Sequence, residues 1–155
     1  MSLLNQSKEE KSIYIIHQDP ESFKRYEEII LQHTKLKNLI MYKFKKGSIK
    51  FPNLYNTHVS EATYYRLFID KYLPNDIDYI FYVDADAFFI NSFESKLTDE
   101  KLKLDKSPYT ISVLTANWHD NYSRLPLQNN KYFNAGVMLI NYRRWLKNKS
   151  TLDLL

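Results

Sequence analysis

Two aspartates stand two residues apart in the segment Tyr79-Ile80-Phe81-Tyr82-Val83-Asp84-Ala85-Asp86-Ala87-Phe88-Phe89-Ile90, with apolar runs on both sides. Aspartate is disfavoured in strands, and an ionised carboxylate among apolar neighbours is costly without a partner. If the backbone stays extended, side chains two residues apart point to the same side. Two carboxylates so placed repel each other, and a divalent cation between or beside them removes the repulsion. Hard oxygen ligands select Mg²⁺ or Mn²⁺ over softer metals. The position suits a ligand too, since open α/β sheets bind beyond the carboxyl ends of their strands. A turn or cap closing a buried strand explains the same two residues without a metal. The pair alone leaves both readings open.

A cation accompanies them. Over residues 61–73, Ala62, Tyr65, Ile69, Tyr72 and Leu73 form an apolar stripe, and at helical spacing Arg66 falls inside it. An arginine there needs an anion: a carboxylate such as Asp84 or Asp86, or a bound diphosphate. Otherwise its stem snorkels to solvent. The third island is Asn134-Ala135-Gly136. The chain has only two glycines, so one placed directly ahead of an apolar run implies a close backbone approach or an unusual φ. Asn134 offers both donor and acceptor, the chemistry a sugar hydroxyl requires. A structural turn accounts for the same residues equally well.

The elements that must position these islands alternate in type. Strands are expected over 12–16, 39–44, 79–83, 110–115 and 136–140, and helices over 21–33, 61–73 and 142–147. Ser60 can cap the second helix, with Val59 and Tyr64 at the positions of a hydrophobic staple. Pro74 and Asn75 end it. The run Tyr79–Val83 is apolar on both faces, which places it mid-sheet under helices. The expectation is one domain over 1–155: an α/β sandwich with a mostly parallel sheet flanked by helices.

Composition narrows the function classes. Hydrophobic residues make up 44% and charged residues 26%, which excludes a disordered tail. The 13 tyrosines suit sugar surfaces, where a ring stacks on a pyranose and the hydroxyl stays polar; tyrosine also simply fills strands. A net charge of +4 fits a phosphate-bearing ligand or an anionic membrane surface but is too mild for nucleic acid. The absence of cysteine rules out disulfides and thiolate metal sites and fits a reducing cytoplasm. No run approaches the roughly 18 apolar residues of a membrane span, and residues 1–11 carry no signal-peptide core. The expected location is cytoplasmic, with peripheral attachment at the inner face of a membrane admitted.

Three blocks in order, His58-Val59-Ser60-Glu61-Ala62-Thr63-Tyr64-Tyr65-Arg66-Leu67, Phe81-Tyr82-Val83-Asp84-Ala85-Asp86 and Tyr132-Phe133-Asn134-Ala135-Gly136-Val137, resemble the signature blocks of glycosyltransferase family 8. The resemblance extends over about residues 12–148. It implies a GT-A fold and a retaining, usually Mn²⁺-dependent (or Mg²⁺-dependent) hexosyltransferase acting from a UDP-sugar. Bacterial members often build lipopolysaccharide or other surface glycans, so the implied acceptor is a glycan or glycolipid. Carried over by position, Asp84 and Asp86 would bind the metal bridging the UDP diphosphate, with Ala85 between them at the donor. Arg66 would reach the donor sugar or phosphate. His58 and Val59 would line the nucleotide pocket, and Asn134 and Ala135 would hold the donor sugar. No nucleophile is assigned.

Two departures accompany the match. The family's first strand and turn, which cradle uracil and ribose, have no counterpart here. The Asp-Gln pair, the metal-completing His and the phosphate-contacting Lys of the family's later part have none either. The expectation is therefore an incomplete GT-A domain, truncated at both ends, with a weakened or absent active site. A catalytically inactive GT-A-like binding module is the alternative to an enzyme. A missing edge strand would expose apolar sheet surface, which a homodimer would bury.

Overall fold

The computed structural model describes residues 1–51, 60–117 and 131–153. After a one-turn helix α1 (Ser2–Asn5), strand β1 (Lys11–His17) leads through a 3₁₀ turn (Pro20–Phe23) into helix α2 (Lys24–Leu31) and back as strand β2 (Leu36–Lys43). β1 and β2 pair in parallel, with Tyr14 opposite Ile40 and Ile16 opposite Tyr42. Pro20 suits the first helical position, where no amide partner is needed. The helix expected over 21–33 is α only over Lys24–Leu31, and Tyr26 and Ile29 on it are exposed.

The second sheet corrects the expectation of one mostly parallel sheet. It contains β3 (Tyr79–Val83), β4 (Ile111–Asn117) and β5 (Lys131–Asn141) in the order β3-β5-β4, and both pairings are antiparallel. Among the described residues β3 pairs on one side only, so the strand expected at mid-sheet is an edge. Its apolar run has another cause. Ile80 and Tyr82 pack on the main core, while Phe81 on the other face meets Phe93 at 5.3 Å and Phe89 at 6.0 Å between ring centroids. Both faces have packing partners, although one edge pairs with none of the described residues.

The main core joins the two sheets. Ile69, Leu73, Met138, Ile140, Tyr142 and Trp145 form its buried centre, with Tyr14, Ile16 and Tyr42 packed on it from the first sheet and Val113 from the second. Burying such side chains stabilises the fold by about 1.5–3 kcal/mol each. A smaller cluster holds Phe44, Tyr65 and Phe68, with Phe44 stacked on Tyr65 at 3.9 Å.

Residues Glu61–Lys71 form a 3₁₀ helix interrupted at Phe68 (φ −109°, ψ 21°), not the α-helix expected. Ser60 makes no side-chain cap; its carbonyl instead accepts from Thr63 N at 3.1 Å. Helix α3 (Glu94–Asp105) was not anticipated, because only Leu104 of it is buried and no apolar stripe announces it. The Arg144 guanidinium closes its carboxyl end, Nη1 donating to the carbonyls of Leu104, Ser107 and Tyr109 and Nη2 to that of Asp105. Helix α4 (Tyr142–Lys147) starts where expected. Asn141 caps it by accepting from Arg144 N at 3.0 Å, and the short α5 (Ser150–Asp153) follows. No helix among the described residues is long and apolar enough to cross a membrane.

Candidate functional site

Strand β3 delivers its last residue, Val83, opposite Val137 of β5, and Asp84 N then donates to Gly136 O at 2.7 Å. There the extended backbone ends. Ala87 N donates to Asp84 O at 3.0 Å, closing a turn that leaves Ala85 and Asp86 exposed. The two carboxylates are thus separated by a turn and do not share a strand face. Asp86 receives no hydrogen bond or ion pair from the described residues, whereas Asp84 is held on three sides.

Arg66 supplies one side. Its side chain is only 11% exposed, and its Nη2 lies 3.1 Å from Asp84 Oδ1. Nε donates to Thr63 O at 2.9 Å and Nη1 donates to Ala135 O. The sequence left carboxylate, diphosphate and solvent open as partners; in the fold the carboxylate is Asp84. Among the described residues three of the five guanidinium donors are engaged.

Tyr82 supplies the second side. Its hydroxyl donates to Asp84 Oδ1 at 2.6 Å, and the Arg66 guanidinium lies 4.6 Å from its ring centroid. Burial first, then the hydrogen bond to Asp84, pushes the phenol pKa up, so the hydroxyl remains a donor at neutral pH. The sequence reading missed this residue. A signal existed, because positions two apart on a strand share a face.

Gly136 supplies the third. A β-carbon there would sit 2.8 Å from Asp84 Oδ2 and 2.9 Å from Asn134 Oδ1. The expected close approach is therefore real, and no positive φ is involved. Local register brings it about: Val113 of β4 faces Met138, but the next residue, Leu114, faces Asn134. Ala135, Gly136 and Val137 have no partner on β4, and this bulge stays against the end of β3. Asn134 Oδ1 accepts from Gly136 N at 2.7 Å, and its amide nitrogen donates to none of the described residues. Ala135 contributes its carbonyl to Arg66 and its side chain to the core. His58 and Val59 lie outside the described residues.

No group of three or more His, Cys, Asp or Glu side chains among the described residues is arranged to hold a metal ion. The donor set still fits a hard divalent cation of the Mg²⁺ kind, which is commonly held by one or two carboxylates with phosphate oxygens and water completing its shell. Asp84 Oδ2 and both oxygens of Asp86 accept no hydrogen bond from the described residues, so these are the atoms that would hold it.

A family model described as glycosyl transferase family 8 matches residues 2–155. The chain belongs to glycosyltransferase family 8. It is 32% identical over 99 residues to General stress protein A of Bacillus subtilis, an alignment covering 62% of this chain and 33% of that protein. It is 31% identical over 93 residues to a putative glycosyltransferase of Haemophilus influenzae, covering 57% and 26% respectively. The chain thus spans a third or less of the curated relatives it matches. The resemblance carried by the three sequence blocks is a family relationship, and in the fold residues of all three meet at Asp84.

Proposed function

We propose that the chain forms the donor-binding part of a metal-dependent, retaining GT-A glycosyltransferase that moves a hexose from a UDP-sugar to a cell-surface glycan such as lipopolysaccharide. One observation carries the reading: Asp84, at the end of a strand, is held by residues from all three family blocks. A divalent cation bound there would offset charge on a diphosphate. Arg66, with two of its donors unused by the described residues, would bind and orient the same diphosphate and stabilise the departing UDP. The Asn134 amide nitrogen, which donates to none of the described residues, would donate to a donor-sugar hydroxyl. In this account the acceptor hydroxyl attacks the anomeric carbon from the face UDP leaves, and no side chain serves as nucleophile.

A binding module without turnover is a second reading. Asp84 is already neutralised by Arg66, and the described residues offer no third ligand, which favours it. Calorimetric titration of UDP into the chain, with MnCl₂ and then with EDTA, tests the first claim common to both. Mn²⁺-dependent binding is expected, and turnover of UDP-hexose then separates enzyme from module. Asp86→Asn should abolish that binding at little cost in stability, because Asp86 pairs with none of the described residues. Asp84→Asn should abolish it and also destabilise, because it weakens the pairing of a largely buried arginine. Undiminished binding in both variants, or none by the folded wild-type protein, would overturn the proposal.

A further inference from the structure

Two charged groups of the site, Asp84 and Arg66, are both anchored to one uncharged side chain. The Tyr82 hydroxyl lies 2.6 Å from Asp84 Oδ1, within the range of a charge-assisted O–H···O⁻ bond, while the Arg66 contact to the same oxygen is longer at 3.1 Å. The face of the Tyr82 ring carries the Arg66 guanidinium at 4.6 Å. Tyr82 itself packs against the main core cluster, so its position is set by the core and not by the turn that follows. Asp84 and Asp86 stand on that turn, with Asp84 38% exposed at the side chain. Left to the turn alone, the Asp84 carboxyl would be free to rotate. With Oδ1 taken by Tyr82 and Arg66, Oδ2 is the atom left for a ligand.

We infer that Tyr82 is a positioning residue of the donor site, its hydroxyl selecting which Asp84 oxygen faces the metal-diphosphate and its ring holding Arg66 ready for the phosphates. The inference rests on the donor-site reading above. It divides one side chain into two separable functions. Tyr82→Phe removes the hydroxyl and keeps the platform; Tyr82→Leu removes both.

The test titrates UDP into wild type and both variants, in MnCl₂ and in EDTA, with free Mn²⁺ followed by electron spin resonance and folding checked by thermal melting. For Tyr82→Phe the UDP affinity in MnCl₂ should fall about tenfold, as expected for one lost charge-assisted hydrogen bond. The Mn²⁺ concentration for half-saturation should rise with it, and the residual affinity in EDTA should not change. Tyr82→Leu should lose affinity in EDTA as well, because Arg66 is released. A purely structural tyrosine would weaken both conditions alike and in step with the melting temperature. That result, or wild-type Mn²⁺ half-saturation in Tyr82→Phe, would overturn the positioning role while leaving the donor site standing. A folded wild type without Mn²⁺-dependent UDP binding would overturn both. If Tyr82→Leu does not fold, the Phe variant decides alone.

Discussion

A β-carbon at Gly136 would stand 2.8 Å from Asp84 Oδ2 and 2.9 Å from Asn134 Oδ1, closer than such atoms come in folded proteins. Both neighbours are committed, Asn134 to Gly136 N and Asp84 to Arg66 and Tyr82. Gly136→Ala should therefore move the carboxylate, costing about 1–3 kcal/mol of stability as an overpacked site and weakening Mn²⁺-dependent UDP binding at least ~10-fold. Gly47→Ala is the matched control. That glycine has φ +56° and nothing within 4 Å of the added carbon, so it should cost about 1 kcal/mol from backbone strain and leave UDP binding unchanged. Denaturant melts and calorimetry on both variants check the contrast; equal effects on binding would refute it. The three islands were legible because each is an anomaly of type: carboxylates in an apolar run, a cation in an apolar stripe, a scarce glycine at the head of an apolar run, which the fold places inside β5. Tyr82 is no anomaly. One of 13 tyrosines, inside a strand that favours aromatics, it is marked in the sequence only by standing two positions before Asp84.

Between elements the sequence is least informative where the chain's direction matters. A strand's apolar run reports which faces are covered but not whether its neighbours run with it or against it, so the antiparallel pairing of β3 with β5 could not be read from Tyr79–Val83. The bulge that places Gly136 is equally silent, because an unpaired stretch has the same composition as a paired one. Helix ends carry more local information. Lys149, with φ 52°, is the one non-glycine residue of positive φ among the described residues. It follows α4 in the left-handed conformation, its amide donating to Leu146 O at 3.2 Å, the position where glycine is favoured. A side chain there costs about 1 kcal/mol. Lys149→Gly should raise stability by about 0.5–1 kcal/mol, less than the full strain because the unfolded chain also gains freedom. The denaturant midpoint should rise with an unchanged slope; a lowered midpoint would mean that the lysine side chain contributes more than its backbone costs.

At the scale of the molecule, one carboxylate ties the chain's beginning to its middle. Glu94, the first residue of α3, accepts from Lys8 N at 3.0 Å and Glu9 N at 3.2 Å, and from Lys11 Nζ at 2.7 Å at the start of β1. No local pattern announces such a tie, since its partners are more than eighty residues away; the sequence shows only a glutamate before an unpromising helix. The Lys11 hydrogen bond, helped by the two amides, holds the Glu94 carboxyl below its ordinary value of 4.5. A carboxyl with a depressed folded pKa binds fewer protons folded than unfolded, so it stabilises the fold above the unfolded pKa. That stabilisation is lost as pH falls from about 4.5 through the lower folded value. Glu100 is depressed too, chiefly by Lys103, and acts in the same sense, so wild-type acid sensitivity alone does not isolate Glu94. Glu94→Gln does. At pH 7 the variant should be less stable than wild type, because the charge-assisted bonds are gone. At the acid end, where the wild-type carboxyl is itself protonated, the two should converge. Urea midpoints measured from pH 7 to pH 3 test this, and curves that stay parallel throughout would show that the tie contributes nothing through its charge.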